Sequence, residues 1–295
     1  MILFHADDYG MNSIQSQRIL ACRSRGCLNS VSLLVTSPEA FQCASMLPGD
    51  IRCRLHLNLR EGPCLSDPAG IRMLVDAQGY FRLSFGTMLF LSLVRKKSLK
   101  AQVKKEIRSQ ILRMQELMGR DAPLRVDSHG HYHMIPAVWD ALFEVCGEMQ
   151  VEISELRIPA EPFGPILKDP YLLVKAPVSG IVKNLVMHFL YACDRIAGRH
   201  PGDFDFKKKV PVFFGMIYTT RMTQIPVRRL LPSGGSPTRR AGTWSSCFIR
   251  ETSRTTIPCG TNDSGRFTHH PTGPGRRRRS VRCLRTSKKA RNQKT

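Results

Sequence analysis

Short apolar runs that end in acidic or histidine residues recur along the first half of the chain. The runs and their polar residues are Met1–His5 with Asp7 and Asp8, Cys53–Leu59 with His56, and Leu124–Ser128 with His129. Segments with helical spacing separate them, and the clearest is Ser98–Met118. Alternating strands and helices are typical of a parallel β/α architecture. Because the carboxyl ends of such strands carry the chemistry, we expect the polar residues to meet there.

The charge of the chain is concentrated at one end. The 295 residues carry a formal charge of +22, with 42% hydrophobic and 23% charged residues, which is a composition typical of a folded protein. Residues 225–295 contain 17 of the 45 basic and 2 of the 23 acidic residues. We therefore predict a folded α/β domain over residues 1–224 and a disordered basic tail over residues 225–295.

Cysteine usage and hydropathy indicate the compartment. The ten cysteines form no CxxC pair, which argues against a zinc ribbon or a disulfide framework. The first residues lack the pattern of a secretory signal, and no apolar run reaches the length of a transmembrane helix. We expect a cytoplasmic protein.

Four residues form the candidate catalytic constellation: Asp7, Asp8, His56 and His129. One aspartate and two histidines suit a divalent ion with open coordination positions, and such an ion lowers the pKa of bound water. The second aspartate could accept the proton of that water. From the residues alone, an Asp pair is also an ordinary turn and a single histidine an ordinary structural residue. The spacing therefore leaves both interpretations open.

Three motifs resemble those of the YdjC-like carbohydrate deacetylases. They are His5-Ala6-Asp7-Asp8-Tyr9-Gly10, then Arg54-Leu55-His56-Leu57-Asn58-Leu59 followed by Glu61-Gly62-Pro63, and finally Asp127-Ser128-His129-Gly130-His131-Tyr132-His133 with Pro136 after it. They occur in the family's order, and the resemblance covers about residues 1–223. Its specificity rests on three motifs in sequence rather than on any single one.

The resemblance implies a β/α-barrel-like fold of parallel strands with surrounding helices. It implies a divalent ion, magnesium or zinc, with Asp8, His56 and His129 as ligands and Asp7 as the base. The implied reaction removes the acetyl group from an N-acetylated amino sugar, carried on an oligosaccharide or a glycolipid. His131, His133 and Arg157 are candidates for substrate binding, and a structural role is the alternative for each.

The chain departs from the family pattern at two places. His5 stands where the family usually has Asn, and the family's later His-Pro-Gly motif is missing, because His269-His270-Pro271 has no apolar strand before it. One permitted set of codons for residues 243–252, read from the last base of the first codon, gives Leu-Glu-Leu-Met-Phe-His-Pro-Gly-Asp. We therefore hypothesise a frameshift between Thr223 and Thr243, with the last strands missing and activity weak or absent. A genuine basic tail is the alternative.

Two other functions compete with the deacetylase. The basic tail could bind nucleic acid without sequence specificity through phosphate contacts, although no motif for reading sequence is present. Another metal-dependent hydrolase, such as a phosphoesterase, could use the same ligands. We expect a sugar substrate and no specific nucleic-acid partner, and we allow for a homodimer.

Overall fold

The protein has an α/β fold built on one parallel sheet. In a computed structural model, the structure describes residues 2–25, 28–198, 200–219, 224–230 and 244–248. The strands are β1 Ile2–Tyr9, β2 Leu28–Leu33, β3 Arg52–Leu57, β4 Leu124–Ser128, β5 Ile153–Leu156, β6 Val212–Phe214 and β7 Trp244–Phe248. The helices are α1 Ser13–Arg25, α2 Ala40–Ser45, α3 Phe85–Val94, α4 Lys96–Met118, α5 Pro136–Glu148, α6 Gly164–Leu167, α7 Pro170–Lys175, α8 Val178–Ile196, α9 Phe206–Lys209 and α10 Gln224–Leu230. Short 3-10 segments span Pro68–Gly70 and His129–Met134.

The strand order is that of a barrel opened between β5 and β6. Hydrogen-bonded neighbours run β5-β4-β3-β2-β1-β7-β6, and every pair is parallel. Strands β1 to β5 thus lie in chain order, and β6 and β7 return to the other side of β1. A consecutive order of this kind is typical of a barrel rather than of a doubly wound sheet, in which the order reverses. The expected β/α class with barrel-like parallel strands is confirmed.

Burial on both faces of the sheet explains why its strands read as nearly continuous apolar runs. In β3 every residue from Cys53 to Leu57 is buried, including Arg54 and His56. Helix α4 covers the sheet with a stripe that includes Val103, Ile107 and Ile111, all fully buried. Burying one such side chain stabilises the fold by about 1.5–3 kcal/mol, so the apolar spacing of this helix also fixes its orientation.

Helix α3 was missed by the sequence analysis. The sequence between Leu59 and Ser98 was assigned no element, although it contains the apolar run that forms α3. Ser84 caps this helix by accepting a hydrogen bond from the Thr87 backbone N–H. A serine before an apolar run was therefore the signal available in the sequence.

Two elements fall inside the segment predicted to be a disordered tail. Helix α10 begins at Gln224, and β7 lies in the sheet between β1 and β6, so these residues form regular structure inside the predicted tail. The average composition of the tail concealed Trp244–Phe248, a short segment with two aromatic residues, which favour strands. The rest of the tail, including His269 and His270, lies outside the described residues.

The described residues belong to one compact unit that spans residues 1–260. No helix among them combines the length and the apolar character needed to cross a bilayer.

Candidate metal centre

The candidate site lies at the carboxyl ends of β1, β3 and β4. Asp8 is near the end of β1, His56 is in β3, and His129 follows directly after β4. The β3–β4 register places His56 beside Asp127. Strands β3 and β4 are parallel neighbours, and β2 alone separates β3 from β1. Residues that are up to 121 positions apart in sequence therefore come into contact.

Asp8, His56 and His129 converge on one point. Asp8 Oδ1 lies 3.1 Å from His56 Nε2 and 2.7 Å from His129 Nδ1. The two imidazole rings are 5.5 Å apart between centroids, and all three residues are buried. One ligand atom from each residue lies within 4.8 Å of the others, which is a spacing that one metal ion can bridge.

A carboxylate behind each histidine orients its ring. His56 Nδ1 is 2.5 Å from Asp127 Oδ1, and His129 Nε2 is 2.5 Å from Glu61 Oε1. A proton on each of these nitrogens leaves His56 Nε2 and His129 Nδ1 directed at Asp8. Metal-binding histidines almost always donate their second nitrogen in this way, so the donor set fits a divalent ion.

The electrostatics of the site favour a positive charge. Burial opposes ionisation of Asp8, but hydrogen bonds with His129 and His56 hold its pKa below the usual range. Burial alone would lower the pKa of His56, yet the carboxylate of Asp127 raises it to about 10. The site thus attracts a cation. The protonated imidazole of His56 is such a cation when no metal is bound.

A second cluster lies beside the first and already contains a cation. It consists of His5, Asp7 and Asp127. The guanidinium of Arg157 donates to Asp7 Oδ1 at 2.7 Å and lies 3.2 Å from Asp127 Oδ2. His5 Nε2 is 3.1 Å from Asp7 Oδ1. Burial opposes ionisation of Asp7, but the charge of Arg157 keeps the pKa of this carboxyl low. Asp7 is therefore ionised at neutral pH.

Two residues at the site have a left-handed backbone. Asp8 has a φ of 60° and His131 has a φ of 65°, a region that few residues other than glycine adopt. Gly130 between His129 and His131 also has a φ of 65°, and a Cβ there would lie 3.2 Å from Arg60 Cδ and from Tyr132 Cε2. Such strain concentrates at functional sites, where the surrounding structure holds it in place.

The three predicted substrate-binding residues differ in their surroundings. Both ring nitrogens of His133 have protein partners, Ser128 Oγ and the Arg157 carbonyl oxygen, which favours the structural alternative. Arg157 is fully buried and pairs with Asp7 and Asp127, which favours the structural alternative for this residue too. His131 is partly exposed, and burial of its ring lowers its pKa to about 3, so it is neutral. A substrate-binding role stays a prediction for His131.

Sequence reasoning missed Asp127 and Glu61 as site residues. Both stand in the motifs, one two positions before His129 and the other five after His56. An acidic residue close to a candidate ligand was the available signal, but only the folded chain identifies which imidazole each carboxylate reaches. Ser32 was also missed, and its hydroxyl donates to Asp127 Oδ2.

A surface cleft of about 420 Å³ is lined by sequence neighbours of two residues of the centre. Its lining includes Gly130, next to His129, and Arg60, next to Glu61. Phe81, Phe85 and Tyr132 supply aromatic walls. Aromatic surfaces beside a few polar groups are typical of a small-molecule site.

Fold and site together define an α/β protein with a buried Asp-His-His centre at the carboxyl ends of its strands. The model of the YdjC-like protein family matches residues 1–225. The chain belongs to the YdjC-like family, as the three motifs predict.

Known proteins support the assignment. The chain is similar to a carbohydrate deacetylase of Danio rerio, with 31% identity over 158 residues, which are 53% of this chain and 49% of the relative. Identity to the carbohydrate deacetylase of Thermoanaerobacter pseudethanolicus is 28% over 163 residues, 54% of this chain and 62% of the relative. A chitooligosaccharide deacetylase of Yersinia enterocolitica is 23% identical over 172 residues, 58% of this chain and 65% of the relative.

The chain spans about half the length of the vertebrate relatives and just under two thirds of the bacterial ones. A solved structure described as a cellobiose-phosphate cleavage protein from Enterococcus faecalis superposes with a TM-score of 0.43 at 22% identity. That superposition covers 59% of this chain and 63% of the other.

Proposed function

We propose that the chain is a metal-dependent hydrolase that removes the acetyl group from an N-acetylated amino sugar. The observation that carries the proposal is the convergence of Asp8, His56 and His129, with an ionised Asp7 next to Asp8. The names of the curated relatives, carbohydrate deacetylase and chitooligosaccharide deacetylase, support the substrate class. The aromatic cleft beside Gly130 offers apolar surface for a sugar ring.

The residues divide into those that hold the ion and those that move a proton. Asp8 Oδ1, His56 Nε2 and His129 Nδ1 would hold a divalent ion, and Asp127 and Glu61 orient the two imidazoles. When bound, such an ion polarises a carbonyl and lowers the pKa of a coordinated water.

The neighbouring carboxylate is the proposed base. Asp7 accepts a proton at its ionised carboxylate, which Arg157 and His5 keep in place. Ionisation makes Asp7 ready to accept that proton, although the charge of Arg157 also lowers its basicity. His131 is the proposed substrate contact, because its side chain is partly exposed.

Acetate release tests the proposal. The full chain is incubated with chitooligosaccharides, with p-nitrophenyl phosphate as the phosphoesterase control, in the presence of magnesium, zinc or EDTA. We expect weak or absent release from the chain itself and metal-dependent acetate release from a version with the reading frame restored. In that version, release should be lost in His56→Ala and kept in His200→Ala, a histidine remote in sequence from the motifs. Metal-dependent phosphate release without acetate release would instead support the phosphoesterase alternative.

The frameshift hypothesis makes a separate prediction. The family match ends at residue 225, where the basic tail begins, as the hypothesis expects. Sequencing the DNA that encodes residues 224–243 checks it directly. A version with the frame restored is expected to fold more stably and to turn over faster than the chain as printed, and equal activity of the two would contradict the hypothesis.

A further inference from the structure

Helix α8 presents an apolar face to solvent. Half of the large apolar side chains described as exposed lie between Leu167 and Ile196. In α8 the exposed apolar residues are spaced by four and three positions, so they form one continuous face. We define the outer face of α8 by these residues: Val178, Val182, Leu185, Phe189, Ala192 and Ile196. Phe189 is 67% and Ile196 87% exposed.

The buried side of the same helix combines polar and apolar residues. They are Gly180, Asn184, Met187, Leu190 and Asp194. Asn184 accepts from the backbone N–H of Glu161 at 2.7 Å and donates to its carbonyl oxygen at 2.8 Å. An amphipathic helix of a globular domain normally turns its apolar stripe inward. Helix α8 buries Met187 and Leu190 in the core and still exposes a second apolar face.

Close contacts fix this orientation of the helix. A Cβ at Gly180 would lie 2.0 Å from the Ile217 carbonyl oxygen, so the helix packs directly against backbone. A rotation that turned the outer face inward would break this contact and both hydrogen bonds of Asn184. A buried amide left without partners costs about 1–3 kcal/mol. The orientation is therefore held by specific contacts.

The charges around the outer face favour an anionic partner. The exposed charged residues of this region include Lys168, Lys175 and Lys183. Its two acidic residues are not available, since Asp194 is buried and Asp169 pairs with Arg229 at 2.8 Å. In a symmetric pairing of two copies through this face, the flanking charges of both copies would be positive and would repel. An anionic lipid surface matches both the apolar face and the lysines.

We propose that the outer face of α8 docks the protein on an anionic lipid surface, with its apolar side chains at the boundary between head groups and acyl chains. The helix also packs against the segment His129–Met134, so docking holds the candidate metal centre close to the lipid surface. This inference does not depend on the proposed reaction.

Tryptophan quenching by brominated lipids tests the proposal. Leu185→Trp and, as a matched control, Leu112→Trp in α4 are compared in the full chain. Both leucines are about half exposed, at 53% and 52%. The vesicles contain phosphatidylcholine with about one third phosphatidylglycerol. We expect quenching at position 185 and none at position 112, after subtraction of the signal from the two native tryptophans.

Binding strength provides a second measurement. Leu185→Ser with Phe189→Ser is expected to lower vesicle partitioning at about 0.5 M salt at least about tenfold, because salt screens charge attraction while apolar burial remains. Lys175→Gln with Lys183→Gln is expected to weaken binding at low salt by about fivefold per lysine.

Two results would overturn the proposal. The first is equal quenching at positions 185 and 112, which would indicate contact through no particular face. The second is absence of quenching at 185 together with a dimer mass in sedimentation that becomes monomeric in Phe189→Ser, which would assign the face to a second copy.

Discussion

The two histidine-aspartate clusters at the centre of the protein are built from the same residue types and differ in what neutralises them. In the cluster of His5, Asp7 and Asp127, the Arg157 guanidinium lies 2.7 Å from one carboxylate and 3.2 Å from the other. In the cluster of Asp8, His56 and His129, the described ion-pair partners of Asp8 are the two imidazoles. One cluster therefore contains its own cation, and the other has the donors for an added one. Ligand types alone therefore do not identify a metal site.

The largest expected effect comes from removing the charge of Asp7 without touching the other cluster. In a chain with deacetylase turnover, Asp7→Asn should lower turnover by about 100- to 10,000-fold, because general-base catalysis contributes that much. Metal content should not change. Steady-state kinetics and metal analysis measure the two effects, with the exposed Asp50→Asn as control. Unchanged turnover would show that another group accepts the proton.

Replacing Arg157 removes the cation of the His5-Asp7-Asp127 cluster, which is what distinguishes this cluster from the other. Arg157→Met leaves Asp7 and Asp127 buried without their cation, which should cost about 3–5 kcal/mol in the free energy of unfolding. Urea denaturation measures the loss. Arg52→Met is the matched control, since Arg52 pairs with Glu155 at 2.7 Å but is 29% exposed and should cost at most about 1 kcal/mol.

The same variant also tests whether Arg157 excludes a metal ion from its cluster. If Arg157 is what excludes an ion from its cluster, a divalent cation should restore part of the stability of Arg157→Met. It should not stabilise Arg52→Met beyond the wild-type response. Equal metal responses of the two variants would mean that Arg157 does not distinguish the clusters.

Removing a ligand should empty the first cluster. His56→Ala or His129→Ala should lower metal affinity at least about tenfold, because each removes one metal–nitrogen bond. Isothermal titration with zinc or magnesium measures the affinity, and His133→Ala is the control because both nitrogens of that ring bind protein groups. Wild-type affinity in both ligand variants would place the metal elsewhere.

The smallest expected effect concerns the carboxylate behind His129. Glu61→Gln should weaken metal binding only about threefold, because the Glu61 side chain is 55% exposed and water can replace it as the partner of His129 Nε2. The exposed Glu116→Gln should have no effect in the same titration. A loss as large as that of His129→Ala would show that Glu61 is itself a ligand.

Most of the fold could be read from the chain because its strands and helices have strong periodic patterns. Strand β4 has the predicted bounds, and α4 begins two residues before the predicted start. The elements that were missed lack such patterns. Helix α3 is apolar around most of its circumference, and β7 lies within a tail of hydrophilic composition.

Apolar periodicity and motifs are properties of neighbouring residues, so the chain alone predicts the parallel β/α architecture and the constellation of Asp7, Asp8, His56 and His129. The choice of Asp8, His56 and His129 as ligands came from the family resemblance. The remaining features appear only in the folded protein. The tertiary structure placed Asp127 behind His56, buried Arg157 between Asp7 and Asp127, and turned an apolar face of α8 outward. These features depend on distances between residues far apart in the chain, such as the 150 positions between Asp7 and Arg157. The pattern along a sequence does not contain such distances, and the packing of the folded chain sets them.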